Sequence, residues 1–120
     1  MIMFNELAKQ IHEGNAARGF WEGDRPLTEV VMLTVCELAE AIEADRSGKW
    51  MNKIDLIKYI NRPEPEVFKE TIKDTVEDEI ADALIRLLDF AHYFNIDLDF
   101  HIKAKLDYNA SRPYKHGKTY

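Results

Sequence analysis

Two acidic pairs carry the chemistry open to this sequence. Glu37 and Glu40 are three residues apart, as are Glu79 and Asp82, and at helical pitch side chains three apart share a face. Counted at about 100° per residue, Ile72, Val76, Glu79, Ala83, Leu87, Phe90 and Phe94 form one stripe with Asp82 on its edge. The Glu37–Glu40 face borders an apolar arc of Val30, Leu33, Thr34, Leu38 and Ala41, while Glu29 and Glu43 project further round. If the two helices pack through their apolar faces, four carboxylates converge. Two carboxylates about 4 Å apart repel by about 4 kcal/mol at an effective dielectric near 20, so the cluster needs cations. Oxygen ligands without His or Cys favour Mg²⁺, Mn²⁺ or Ca²⁺ over zinc or copper, and Mg²⁺ leaves positions for water and substrate phosphates. The expectation is a metal-dependent site for phosphate chemistry. One such pair is more often a solvated face; two pairs, each beside an apolar stripe, reverse that preference.

The elements that must position these residues follow from pattern. Asn5 is expected to cap a first helix to about Ala17, with Phe4, Leu7, Ala8 and Ile11 on its apolar side. His12 and Asn15 share a face of it. Gly19-Phe20-Trp21 breaks the pattern, and Trp21 either stacks on a base or anchors the fold. A second helix is predicted from residues 26–28 to about Arg46, ended by Ser47-Gly48. Trp50, Ile54, Ile57 and Ile60 suggest a short amphipathic helix before the Asn61–Pro65 break. Pro65 opens a third helical region to about Phe94, divided at Asp74-Thr75 because Thr75 and Asp78 have capping-box-like spacing. Arg86, four residues after Asp82, is expected to pair with a carboxylate. Asp97 should cap a last helix to about Ala110, with Leu98, Ile102, Lys105 and Asn109 on one side. Arg112, Lys115, His116 and Lys118 follow, a set suited to closing over a polyphosphate or to a solvated tail.

Composition narrows the field. A chain of 120 residues, 46% hydrophobic and 32% charged, suits a single domain over 1–120 with one core. The net charge of -6 argues against a binder of nucleic acid polymers. Cys36 is the only cysteine, which excludes an internal disulfide and suits a reducing compartment; its apolar neighbours suggest burial. No run approaches the length of a membrane span, and no basic segment precedes an apolar one. The expectation is a cytoplasmic protein with no membrane partner. A Gly-rich phosphate loop is missing, as are the Glu-x-x-His motifs of di-iron bundles.

The ordered set Glu37-Leu38-Ala39-Glu40 and Glu79-Ile80-Ala81-Asp82, closed by Lys105, Asn109 and Arg112-Pro-Tyr-Lys115-His116-Gly-Lys118, resembles the MazG-like all-α nucleoside triphosphate pyrophosphohydrolases, relatives of the dimeric dUTPases. The resemblance covers about residues 27–120. It implies an all-α, four-helix-bundle-like fold with an extra helical segment between the second and third main helices, assembled as a homodimer or homotetramer. It also implies cleavage between the α- and β-phosphates of a nucleoside triphosphate, giving a monophosphate and pyrophosphate. Glu37, Glu40, Glu79 and Asp82 would then be the catalytic Mg²⁺ ligands, with Mn²⁺ able to substitute. Lys105, Asn109, Arg112, Lys115, His116 and Lys118 would contact phosphates or sugar, and Trp21 the base. The stretch between Glu40 and Glu79 is longer than in compact members. A rival function of another class is a non-enzymatic helical adaptor with an idle carboxylate site.

Overall fold

The computed structural model describes residues 3–119, the His116 side chain excepted, and those residues are all-α, without a strand. In order they form α1 (Phe4–Ala17), α2 (Leu27–Arg46), α3 (Lys53–Asn61), α4 (Pro65–Thr71), α5 (Val76–Tyr93) and α6 (Leu98–Ala110), then a 3-10 turn (Tyr114–Gly117). The additional helical segment expected between the second and third main helices is α3 with α4. The chain divides into two compact units, residues 23–87 and residues 1–22 with 88–120.

In the 23–87 unit, α2 follows Pro26, whose ψ of 151° is extended, and closes at Gly48. Gly48 has φ +69°, a conformation cheap only without a Cβ, and the Lys49 N–H then returns to Ala44 O while Gly48 N–H reaches Asp45 O. These two bonds satisfy end carbonyls that the helix leaves open. Asn52 caps α3 by accepting the Asp55 N–H at 2.8 Å. α3 lies on α4, with Tyr59 edge-on to Phe68 at 5.9 Å. The predicted division before α5 is present: Thr75 Oγ1 accepts the Asp78 N–H at 3.1 Å, and Asp78 Oδ2 accepts the Asp74 N–H at 3.0 Å. The start of α5 is also clasped to the segment after α2. Val76 N–H donates to Lys49 O at 2.9 Å, and Met51 N–H donates to both Glu77 oxygens at 3.1 Å. Apart from Glu79, the buried side chains of the described residues here are small: Val30, Thr34, Ala41 and Ala44 from α2, Val67 and Thr71 from α4, Thr75, and Val76 and Ala83 from α5.

Cys36 departs from expectation, because it is exposed. Val35 and Leu38, the apolar neighbours that suggested burial, are themselves 47% and 45% exposed. The buried positions of α2 are 30, 34, 41 and 44, and Cys36 lies about 200° round from Thr34 at helical pitch.

In the other unit, Asn5 does not cap α1. The helix begins one residue earlier, and the N–H groups of Phe4 and Asn5 donate to Asp99 Oδ1 and Oδ2 at 2.7 and 3.3 Å. A carboxylate at a helix N-terminus meets both the open donors and the positive end of the helix dipole, so Asp99 displaces the neutral Asn5 amide from that role. Asn5 instead donates to Asp97 Oδ1 at 2.8 Å. Asp97 caps α6 as expected, accepting the Phe100 N–H at 3.0 Å.

Asp89 organises this unit. Its carboxylate is buried and touches His12 Nδ1 at 2.8 Å, while the Asn15 amide donates at 2.9 Å and the Trp21 indole N–H at 3.0 and 3.1 Å. Burying a charge is tolerable only when it is so satisfied. Asp89→Ala strands three donors that each cost about 1–3 kcal/mol when left buried without a partner. The expected outcome is a loss of about 3 kcal/mol in unfolding free energy, measured by urea denaturation, against a much smaller loss for Asp107→Ala on the exposed side of α6.

Candidate metal centre

The carboxylates of α2 and α5 meet within the 23–87 unit. Glu37, Glu40 and Glu79 each present an oxygen within 4.8 Å of the others. Glu79 is only 5% exposed, and its Oε2 is buried with no hydrogen-bond partner. Glu37 is half-buried and Glu40 exposed, so the group opens to solvent on the Glu40 side. A cavity of about 280 Å³ lies there, lined by Glu40, Glu43, Lys49, Asp74 and Glu79 among others.

The helices place these groups for reasons already in the sequence. Glu79 replaces an apolar residue on the buried stripe between Val76 and Ala83, and Glu37 lies three residues from Thr34, which turns its own hydroxyl back to Val30 O at 3.0 Å. Arg86 forms the expected ion pair. Its Nε donates to Glu37 Oε1 at 2.8 Å, which satisfies one acid of the group.

Electrostatics register the crowding. The Glu79 carboxyl is pushed up to about 8 by burial first, then by hydrogen bonding to and the charge of Glu40, and then by Glu37. Asp82 is also raised, by burial, then by the charges of Asp78 and Glu37, against the lowering effect of Arg86. Asp82 is half-buried and stands outside the three-residue group. A second group shares Glu79: Asp74, Asp78 and Glu79 also bring oxygens within 4.8 Å. Asp78 and Asp74 were missed in the sequence because their capping spacing accounted for them; Asp78 lies four residues before Asp82, a same-face spacing that marks it.

The donor set fits a hard divalent cation. All the candidate ligand atoms are carboxylate oxygens and one of them, Glu79 Oε2, is buried without a hydrogen-bond partner, a set suited to Mg²⁺, Mn²⁺ or Ca²⁺.

The remaining predicted residues belong to the other unit. Trp21 is half-buried, with its N–H committed to Asp89 and its ring stacked on Tyr93 at 4.2 Å and 19°. Lys105 Nζ and the Arg112 guanidinium each lie 5.3 Å from the Tyr108 ring. Asn109 Oδ1 is buried with no hydrogen-bond partner. Lys115 and Lys118 are exposed, Lys115 with its ammonium 5.8 Å from the Tyr114 ring. The His116 side chain lies outside the described residues. Comparison with protein-family models, curated proteins and solved structures found no match to this chain.

Because the folded-state pKa of Glu79 is raised, the folded protein holds a proton that the unfolded chain releases. The associated stability is present below the ordinary carboxylate pKa and is lost as pH rises from about 4.5 to about 8 in the absence of metal. Glu79→Gln, neutral throughout, should therefore melt higher than wild type at pH 8 in EDTA. By scanning fluorimetry the gap should close towards pH 5, and a gap independent of pH would contradict the assignment.

Proposed function

We propose that this chain is a Mg²⁺-dependent nucleoside triphosphate pyrophosphohydrolase that cleaves between the α- and β-phosphates, as its resemblance to the MazG-like enzymes implies. The observation that carries the reading is the approach of Glu37, Glu40 and Glu79 to within 4.8 Å around a buried, partnerless oxygen. In this reading Glu37, Glu40, Glu79 and Asp82 hold Mg²⁺, or Mn²⁺ in its place. When bound, the ion lowers the pKa of water and neutralises charge on the phosphates.

The chain's own groups have separate tasks. One of the four carboxylates accepts the proton of the attacking water. Arg86 fixes Glu37 by its 2.8 Å ion pair and so sets one wall of the site. Lys105 and Arg112 present cationic groups beside Tyr108, and the orphaned Asn109 Oδ1 can accept from a sugar hydroxyl. Lys115, His116 and Lys118 supply further charge for phosphates, and Trp21 an aromatic face for a base.

The reading includes a cytoplasmic setting and a homodimer or homotetramer. No described helix is long and apolar enough to cross a membrane. The assembly is consistent with the exposure of Met32, Ile42, Ile54 and Ile60 in the 23–87 unit, at 58%, 57%, 71% and 64%, residues that association would cover. That same surface favours the second reading, a non-enzymatic adaptor whose partner covers it.

A panel of NTPs and dNTPs with Mg²⁺, read as pyrophosphate release, separates the two. Release from at least one nucleotide, abolished by EDTA, is the expected result. Loss of an outer-shell partner alone costs about 10–100-fold, so Glu40→Ala, which removes a ligand itself, should lower turnover by about 100-fold or more with an unchanged melting temperature or a higher one in EDTA. Light scattering should return two or four chains per particle; a monomer would remove the assembly from the proposal.

A further inference from the structure

The α3–α4 excursion carries a cleft that the acids of α2 and α5 do not use. It has a volume of about 440 Å³, within the range of roughly 300–1,000 Å³ usual for small-molecule sites. Tyr59 of α3 and Phe68 of α4 are half-buried there, edge-on to each other at 5.9 Å and 74°. Pro63 and Pro65 add an apolar wall whose backbone is stiff because each ring fixes φ. Two ammonium groups, those of Lys69 and Lys73, also line the cleft. We propose that this cleft binds a nucleoside monophosphate, with the base against Tyr59 and Phe68 and the phosphate on Lys69 and Lys73. None of these residues is a proposed metal ligand, so the position does not depend on the hydrolase reading.

The chemistry of the lining selects that class of ligand. Aromatic side chains accept a nucleobase by stacking, whatever its hydrogen-bonding edge. A phosphate monoester carries close to two negative charges at neutral pH, and two ammoniums match it where a carboxylate would leave one of them over. A nucleoside monophosphate joins one flat base to one phosphate, the two features that the lining meets. Glu64, the acid among the lining residues, accepts from Arg62 at 2.7 Å, so its charge is already answered. Lys69 lies 3.7 Å from Glu66 and Lys73 3.0 Å from Asp74, but all four side chains are more than half exposed, and exposed pairs of this kind are weak enough to exchange partners. A phosphate offers both ammoniums one common partner through charge-assisted hydrogen bonds.

The test uses the full chain in EDTA, so that no divalent ion brings a phosphate to the acids of α2 and α5. AMP, GMP, CMP and UMP are titrated by calorimetry beside their parent nucleosides and inorganic phosphate, and backbone amides are followed by NMR. The expected result is one monophosphate per chain for at least one of the four, with the amides of residues 59–73 shifted. The parent nucleoside and inorganic phosphate should each bind about 10-fold or more weakly, for want of the charged hydrogen bonds or of the stack. Lys69→Gln combined with Lys73→Gln, at two exposed positions, should weaken the monophosphate by about 10-fold or more. Tyr59→Leu, which keeps an apolar side chain against Phe68, should do the same by removing a ring. Failure of all four monophosphates to bind overturns the proposal, as does binding that either variant leaves unchanged, a nucleoside that binds as well as its monophosphate, or shifts confined to other residues. Pyrophosphate release from triphosphates is read separately. Turnover without monophosphate binding in EDTA would remove this site and leave the hydrolase reading standing, and binding without turnover would do the reverse.

Discussion

The structure turns on one unfavourable contact. A carboxylic acid on the buried stripe of α5, Glu79, faces two more acids from α2, one of which, Glu37, is ion-paired with the Arg86 guanidinium. In a folded chain without metal the conflict is relieved by a proton, which is why burial and the neighbouring acids raise Glu79 to about 8. In the proposed metal site a proton and a divalent ion would compete for the same oxygens, so metal affinity and acidity would be two readouts of one geometry. The buried residues flanking the acids on these helices are small, Ala41, Ala44, Val76 and Ala83.

Much of this was legible from residue order. The helix boundaries followed from Pro26, Gly48, Pro65 and Asp97, because each has a local mechanism that needs no tertiary information. The acidic face pairs followed from spacing alone. The convergence of Glu37, Glu40 and Glu79 needed the further premise that α2 and α5 pack through their apolar faces; positions 30, 34 and 41 of the predicted arc are buried, whereas Leu38 of that arc is 45% exposed.

The failures share a cause: a partner distant in sequence outcompetes a local one. Asn5 has the right chemistry for a cap, but Asp99, 94 residues away, brings a full charge to the same N–H groups. Residue order assigned Asp89 no role, and only the fold assembles His12, Asn15 and Trp21 around it. Cys36 was judged by its immediate neighbours, which themselves lie on the exposed side of α2. Asp74 and Asp78 were hidden differently, because a sufficient local role in starting α5 concealed their approach to Glu79.

The clasp at the root of the α3–α4 excursion has a consequence for how such a chain can diverge. Lys49 O and the Met51 N–H are bonded to Val76 and Glu77, so the intervening residues leave and return through a fixed gate one turn from the acids. The cost of closing a loop grows by only about 0.6 kcal/mol per doubling of its length. With both ends pinned, the excursion is free to lengthen, shorten or exchange its surface over generations while the acids beside it stay in register.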